Sequence, residues 1–277
     1  VSRPGSTRGD GPLAPKKSLG QHFLHDPAIL TRIAVAAGVE PGERVLEIGP
    51  GPGGLTRALV AAGARVWAVE ADPRMVAHVA ALDLPGVQVR CADALEQDFE
   101  ALAGEAGGAF RLVANLPYNI SGPLLARLLR QRRAFVSMTV MLQREVAERL
   151  AAPPGNRARG SLGVLAQSFC SLRLLFRVAP GSFRPPPKVE SRVLRLDVLP
   201  EPVSPVEDEA FLWEVVRKGF SQRRKMLRNA LAGTVGDTGT LLAAAGLDGH
   251  ERPEELTVAQ WASLANEGFR LRREAGG

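Results

Sequence analysis

Asn115-Leu116-Pro117-Tyr118 brings an amide, exposed carbonyls, a rigid proline and an aromatic ring into four residues. An amide and a carbonyl can accept the two N–H bonds of an exocyclic amine, and a phenol ring can stack on the base that carries it. The same residue types also make an ordinary turn. A second group lies upstream, in Glu47-Ile48-Gly49-Pro50-Gly51-Pro52-Gly53-Gly54. Its glycines let the backbone turn sharply and let a ligand approach the main chain. Glu70 and Asp93 follow. A carboxylate at the first can accept both hydroxyls of a ribose, and one at the second can accept an adenine amine. A turn that binds pyrophosphate needs backbone N–H groups, and Pro50 and Pro52 have none. The prolines therefore favour S-adenosylmethionine over a nicotinamide dinucleotide.

These groups act together only if the fold brings them to one edge. The apolar runs Arg44 to Ile48, Arg65 to Val69, Val87 to Cys91, Phe110 to Ala114 and Phe135 to Leu142 predict strands. Between and around them, Pro27 to Ala37, Leu55 to Ala62, Pro73 to Leu82, Leu124 to Gln131 and Glu145 to Leu150 predict helices. Asp26, Pro27 and Gly38 are start and stop signals for the first of these. The alternation predicts an α/β fold, a doubly wound, Rossmann-like, mostly parallel sheet. In such a sheet ligands bind at the carboxyl ends of the strands, where Gly49, Glu70, Asp93 and Asn115 all fall. Further on, Ser161 is a predicted cap for a helix from about Leu162 to Ser168. Leu172 to Val178 and Ser191 to Leu199 are predicted as a late pair of strands. Phe183-Arg184-Pro185-Pro186-Pro187 between them is too proline-rich for sheet or helix. From Glu207 onward the pattern is helical. The expected organisation is a flexible basic arm over residues 1–20, a methyltransferase domain over 21–200 and a small C-terminal helical domain over 201–277.

Composition narrows the partners. The chain has 277 residues, 45% hydrophobic, with a net charge of +6. That balance points to a polyanion such as nucleic acid. No apolar run approaches a membrane span, and the N-terminal segment has no signal-peptide core. Cys91 and Cys170 are the two cysteines, far apart and without a zinc-type spacing. His22 and His25 lack further ligands, so no metal site is expected. A cytoplasmic location is expected.

Four segments resemble a known family: Lys17-Ser18-Leu19-Gly20-Gln21-His22-Phe23-Leu24, Leu46-Glu47-Ile48-Gly49-Pro50-Gly51, Asn115-Leu116-Pro117-Tyr118-Asn119-Ile120-Ser121, and Phe183-Arg184-Pro185-Pro186-Pro187-Lys188-Val189. They resemble the small-subunit ribosomal RNA adenine dimethyltransferases, the KsgA family, over about residues 16–232. The erythromycin-resistance methyltransferases share several of these motifs. The resemblance implies S-adenosylmethionine as cofactor and an assembling small ribosomal subunit as partner, with two methyl groups added to each of two adjacent adenosines near the 3′ end of its RNA. It implies that Gln21, His22 and Leu24 close over the methionine end of the cofactor. Many members carry Asn in place of His22. Gly49, Gly51, Glu70, Ala71, Asp93, Ala94 and Asn115 complete the expected cofactor set.

For catalysis, the Asn115 side chain and the Leu116 carbonyl are expected to orient the amine. Tyr118 is expected to stack on the base, with Phe183 closing its other face. Lys16, Lys17, Arg157, Arg159, Arg223, Arg224, Lys225 and Arg228 are the expected RNA contacts, with Ser221 a candidate cap for a second basic helix. A monomer is expected. The rival readings are a large-subunit RNA methyltransferase, a non-catalytic RNA-binding assembly factor on the same fold, and an NAD-dependent oxidoreductase.

Overall fold

A computed structural model describes residues 13–15, 20–222, 225–234 and 237–276. Lys16, Lys17, Arg223 and Arg224 lie outside the described residues, as does most of the expected basic arm. By their internal contacts the chain forms two compact units, one of residues 1–144 and 175–194, the other of residues 145–174 and 195–277. The contacts thus draw residues 145–174 into the helical unit, whereas the sequence reading kept them with the methyltransferase domain.

In the first unit, strands β2 (Arg44–Ile48), β3 (Arg65–Glu70), β4 (Val87–Cys91), β5 (Phe110–Asn115) and β6 (Phe135–Gln143) fall where the apolar runs place them. Strand β2 pairs with β3 and with β5, β3 with β4, and β5 with β6, each time in parallel. With β7 (Cys170–Val178) and β9 (Ser191–Val198) the sheet runs in the order β4-β3-β2-β5-β6-β9-β7. The order reverses between β2 and β5, which makes that the switch point where open sheets bind ligands.

Helix α1 (Pro27–Ala37) is set by local chemistry. The Asp26 carboxylate accepts the N–H groups of Ala28 and Ile29, Pro27 occupies the first turn, and Gly38 at φ 65° ends the helix. Its Leu30, Ile33 and Ala34 pack with Leu55 and Leu59 of α2 (Gly54–Ala61) and with Val45, Val66 and Val113 of the sheet. Burying such side chains stabilises by about 1.5–3 kcal/mol each. Helices α3 (Pro73–Ala81), α5 (Ser121–Arg130) and α6 (Arg144–Leu150) match their expected positions to within a few residues.

Three local features differ from expectation. Helix α4 (Phe99–Glu105) was not foreseen; Asp98 caps it by accepting the Ala101 N–H at 2.9 Å. Phe183–Arg184 does form a strand, β8, which pairs with β1 (Phe23–Leu24) just before the prolines begin. Ser161 is the first residue of α7 (Ser161–Phe169) rather than its cap, because Gly160 holds that place.

The second unit continues with α8 (Glu209–Gly219), α9 (Leu227–Ala230), α10 (Thr238–Ala244) and α11 (Val258–Gly276). Trp261 is wholly buried and lies so close to Gly219 that a Cβ there would be 2.5 Å from its ring. Ser221 caps no helix; its hydroxyl donates to the Lys218 carbonyl at the end of α8. Arg159 is 1% exposed and cannot meet RNA, contrary to expectation. Its guanidinium donates to the carbonyls of Leu256 and Glu254 and to Gln167 Oε1. It ties the loop before α7 to the loop before α11, and burial lowers its pKa to about 10. Arg157, Lys225 and Arg228 are exposed. Arg228 also donates to the Asp248 carbonyl.

Candidate active site

The carboxyl ends of β2, β3, β4 and β5 open into one cleft of about 150 Å³. Gly49 and Gly51 line it from the glycine turn, Glu70 and Ala71 from β3, Asp93 and Leu95 after β4, and Asn115 to Ile120 after β5. Gly20, Gln21, His22 and Phe23 line it from the N-terminal segment. Three expected residues stay outside. Leu24 is a core residue whose side chain packs with α1 and the sheet. Ala94 is buried and is absent from the lining. Phe183 is 2% exposed within the same core as Leu24, so its ring has no face to offer a base. The pairing of β8 with β1 turns it inward. Residues that the sequence reading assigned no role, Gly20, Phe23, Leu95, Asn119 and Ile120, join the lining. Leu95 was visible only as the apolar residue two positions after Asp93.

The glycine turn discriminates between cofactors. Gly49 donates its N–H to the Val69 carbonyl, Gly51 to the Glu70 carboxylate at 3.2 Å, and Gly53 to the Pro50 carbonyl. Residues 50 and 52 are prolines. From 49 to 53 no N–H is left for a diphosphate, which removes the dinucleotide reading. Gly49 has φ 69°, and a Cβ built on it would meet nothing within 4 Å. The backbone there faces open space, which suits close approach of a ligand without phosphate, as S-adenosylmethionine is.

Glu70 is buried and accepts N–H bonds from Gly51 and from Asp72 at 2.9 Å. Burial raises its pKa, and these backbone bonds oppose the rise. Each oxygen keeps a lone pair, enough for two ribose hydroxyls. Asp93 accepts the Leu95 N–H with Oδ1 and is otherwise exposed to the cleft.

In the tetrapeptide, each group is fixed by a neighbour. Asn115 Nδ2 donates to the His22 carbonyl at 3.1 Å, which leaves its oxygen as the acceptor. The Leu116 N–H donates to the Met141 carbonyl, the Pro117 carbonyl accepts from Ile120, and the Tyr118 carbonyl accepts from Ser121 Oγ. The Leu116 carbonyl has no partner among the described residues. The Tyr118 hydroxyl shares a hydrogen bond of 2.5 Å with Ser191 Oγ. Burial raises the phenol pKa and the Ser191 bond opposes this. The Tyr118 ring stacks on His22, with centroids 5.5 Å apart and planes at 26°. His22 is in turn held by a 2.8 Å bond between Nδ1 and the Pro185 carbonyl.

Glu47 is the acid whose role the sequence reading left open. It is the one charged residue inside the otherwise apolar end of β2 and is 1% exposed. Thr56 Oγ1 donates to its Oε2 at 2.7 Å. Burial pushes its pKa from 4.5 up to about 8, against the Thr56 bond and with help from the Glu70 charge. Between those values the folded chain holds a proton that the unfolded chain has lost. The stabilisation is therefore complete below pH 4.5 and disappears as pH rises through 8. Glu47→Gln cannot ionise. Melting curves from pH 4.5 to 9 should show the wild type falling relative to the variant, at about 1.4 kcal/mol per pH unit at most. Parallel curves would mean that Glu47 is ionised throughout.

The sequence pattern described as ribosomal RNA adenine dimethylase matches residues 13–268. The chain belongs to that family. As a family member it is an S-adenosylmethionine-dependent methyltransferase. It is 45% identical to ribosomal RNA small subunit methyltransferase A of Magnetococcus marinus, over 92% of each chain. It is 48% identical to the protein of that name from Rhodospirillum rubrum, over 91% of this chain and 88% of that one. Among solved structures it is similar to a dimethyladenosine transferase from Plasmodium falciparum, with a TM-score of 0.70 and 26% identity, covering 88% of this chain and 96% of that one. The 23S rRNA methyltransferase ErmE gives a TM-score of 0.66 at 26% identity, covering 89% of this chain and 99% of that one. Among the described residues no helix is long and apolar enough to cross a membrane, and no acid, histidine or cysteine cluster could hold a metal.

Proposed function

We propose that this dimethylase family member methylates the exocyclic amines of two adjacent adenosines near the 3′ end of small-subunit ribosomal RNA, giving N6,N6-dimethyladenosines during subunit assembly. The observation that carries this reading is the Leu116 carbonyl, without a partner among the described residues, next in the chain to an Asn115 side chain whose oxygen is left as an acceptor, both residues lining the cleft with Gly49, Glu70 and Asp93. When bound, S-adenosylmethionine supplies an electrophilic methyl group on a sulfonium sulfur. The protein must then aim a poor nucleophile. An adenine amine has its lone pair delocalised into the ring. Two acceptors that take its N–H bonds turn that lone pair out of conjugation and toward the methyl. Pro117 fixes the chain direction between them. The proton leaves after the C–N bond forms, so no strong general base is required. The 48% and 45% identities favour the small subunit over the large as RNA source.

Tyr118 stacks on the base and the Ser191 bond sets its angle. Tyr118→Ala should lower turnover on an RNA substrate about 5- to 100-fold, since stacking is worth roughly 1–3 kcal/mol. Tyr118→Phe keeps the ring and loses only the tether; turnover should change less than about threefold while stability falls by about 1 kcal/mol. Equal turnover in both variants would reduce Tyr118 to a structural role.

Exposed Arg157, Lys225 and Arg228, with Lys16, Lys17, Arg223 and Arg224, contact phosphates of the RNA, and residues 201–277 serve that binding. The protein acts in the cytoplasm as a monomer. The decisive experiment supplies labelled S-adenosylmethionine and unmethylated small-subunit particles and maps the label. Label on two neighbouring adenosines near the 3′ end supports the proposal. Label on large-subunit RNA supports the rival substrate, and none on either supports a non-catalytic assembly role.

A further inference from the structure

Behind the glycine turn lies a second, smaller cavity of about 30 Å³. Its lining includes Phe23, Leu24, Glu47, Gly49, Leu55 and Asn115. Phe23, Gly49 and Asn115 also line the main cleft, so the two spaces share walls. Glu47 Oε2 is bonded to Thr56, but Oε1 is buried with no partner. Glu47 thus has a buried oxygen with no partner among the described residues, and it lines a cavity that shares its walls with the main cleft. The charge that faces Glu47 is Glu70, on β3. The other residues of the small cavity, from β1, α1, the glycine turn, α2 and β5, carry no titratable side chain.

We infer that Glu47 is a proton-linked counter-ion for the cofactor, neutral in the free protein and ionised when the cationic ligand fills the adjoining cleft. The inference rests on the S-adenosylmethionine reading above. Its physics is direct. Burial disfavours a negative charge on Glu47, and the Glu70 carboxylate disfavours it further. A sulfonium in the cleft reverses the balance, because opposite charges attract strongly where water is excluded. The carboxyl O–H bond breaks, the proton passes to solvent, and the carboxylate remains opposite the cation. No electrons change hands. Methyl transfer leaves a neutral thioether, so Glu47 takes a proton back and the product loses its counter-ion. The cleft therefore distinguishes cofactor from product by charge.

Titration calorimetry tests this with S-adenosylmethionine and S-adenosylhomocysteine, each in phosphate and in Tris at pH 7. The wild type should release close to one proton on binding S-adenosylmethionine and clearly less on binding the homocysteine product. Its Kd for S-adenosylmethionine should tighten by up to about tenfold per pH unit from 6 to 8. Glu47→Gln should release almost no proton and show a flat pH profile. Its melting point at pH 5, where both side chains are neutral, checks its fold. Buffer-independent heats in the wild type overturn the inference without need of the variant. An equal proton count in the variant also overturns it, because the proton then comes from Glu70 or the ligand's amino group. Absence of any binding by the folded wild type overturns the cofactor reading itself.

Discussion

Asn115→Ala should lower single-turnover methyl transfer by at least about 10³-fold while the cofactor still binds. The amide has two jobs in the structure. Its nitrogen donates to the His22 carbonyl and holds the Gly20–Leu24 segment against the cleft. Its oxygen is left to accept one N–H of the target amine. Alanine removes both. Losing the His22 bond weakens a neutral hydrogen bond worth about 1 kcal/mol, so cofactor affinity should fall only a few-fold. Losing the acceptor removes orientation, which supplies roughly 7–11 kcal/mol in well-positioned model reactions. A loss of about 4 kcal/mol already gives the thousandfold effect. Rapid-quench transfer measurements beside calorimetric binding separate the two jobs. Near-normal turnover would defeat the proposed mechanism. A collapse of binding equal to that of rate would reassign Asn115 to the cofactor alone.

Glu70→Ala should weaken cofactor binding on the order of 10²- to 10⁴-fold. Hydrogen bonds to a charged acceptor contribute about 1.5–3 kcal/mol each, and a ribose brings two donors. The same substitution removes the acceptor for the Gly51 and Asp72 N–H groups, both buried. The turn that presents Gly49 should loosen, and stability should drop by about 1–3 kcal/mol. Glu70→Gln separates these effects. It keeps the volume but turns an NH2 toward one of the two backbone donors. It should bind poorly while melting closer to the wild type. Unchanged affinity in Glu70→Ala with a lowered Tm would leave Glu70 only a structural role.

The central parallel strands were legible because they are buried on both faces and read as short apolar runs, as Arg44–Ile48 and Phe110–Asn115 do, whereas Val87–Cys91 at the sheet edge is half-exposed and showed itself by its alternation. Helix α1 was legible because its caps are local. The misses share a cause, which is partners distant in sequence. Nothing beside Phe183 says that its strand will pair with Phe23–Leu24, so a ring before three prolines read as an exposed clamp. Arg159 read as a basic loop residue because its acceptors, the carbonyls of Glu254 and Leu256, are nearly a hundred positions away. Helix α4 has seven residues, too few for a clear period. At the site, the convergence of Gly49, Glu70, Asp93 and Asn115 followed from topology alone. The charge state of Glu47 did not, because it depends on how deeply the fold encloses β2.

The clasp between β1 and β8 has a consequence for when the protein becomes competent. Phe23–Leu24 is paired by Phe183–Arg184, and His22 is held by the Pro185 carbonyl, 163 residues further along the chain. Strands β2 to β6 can assemble in order as they emerge during synthesis, since domains form from the N-terminus onward. The near wall of the cleft gains these two contacts only after residues 183–185 have been translated. A nascent chain halted before residue 183 carries the glycine turn, Glu70, Asp93 and Asn115 but lacks both of these contacts to the N-terminal segment.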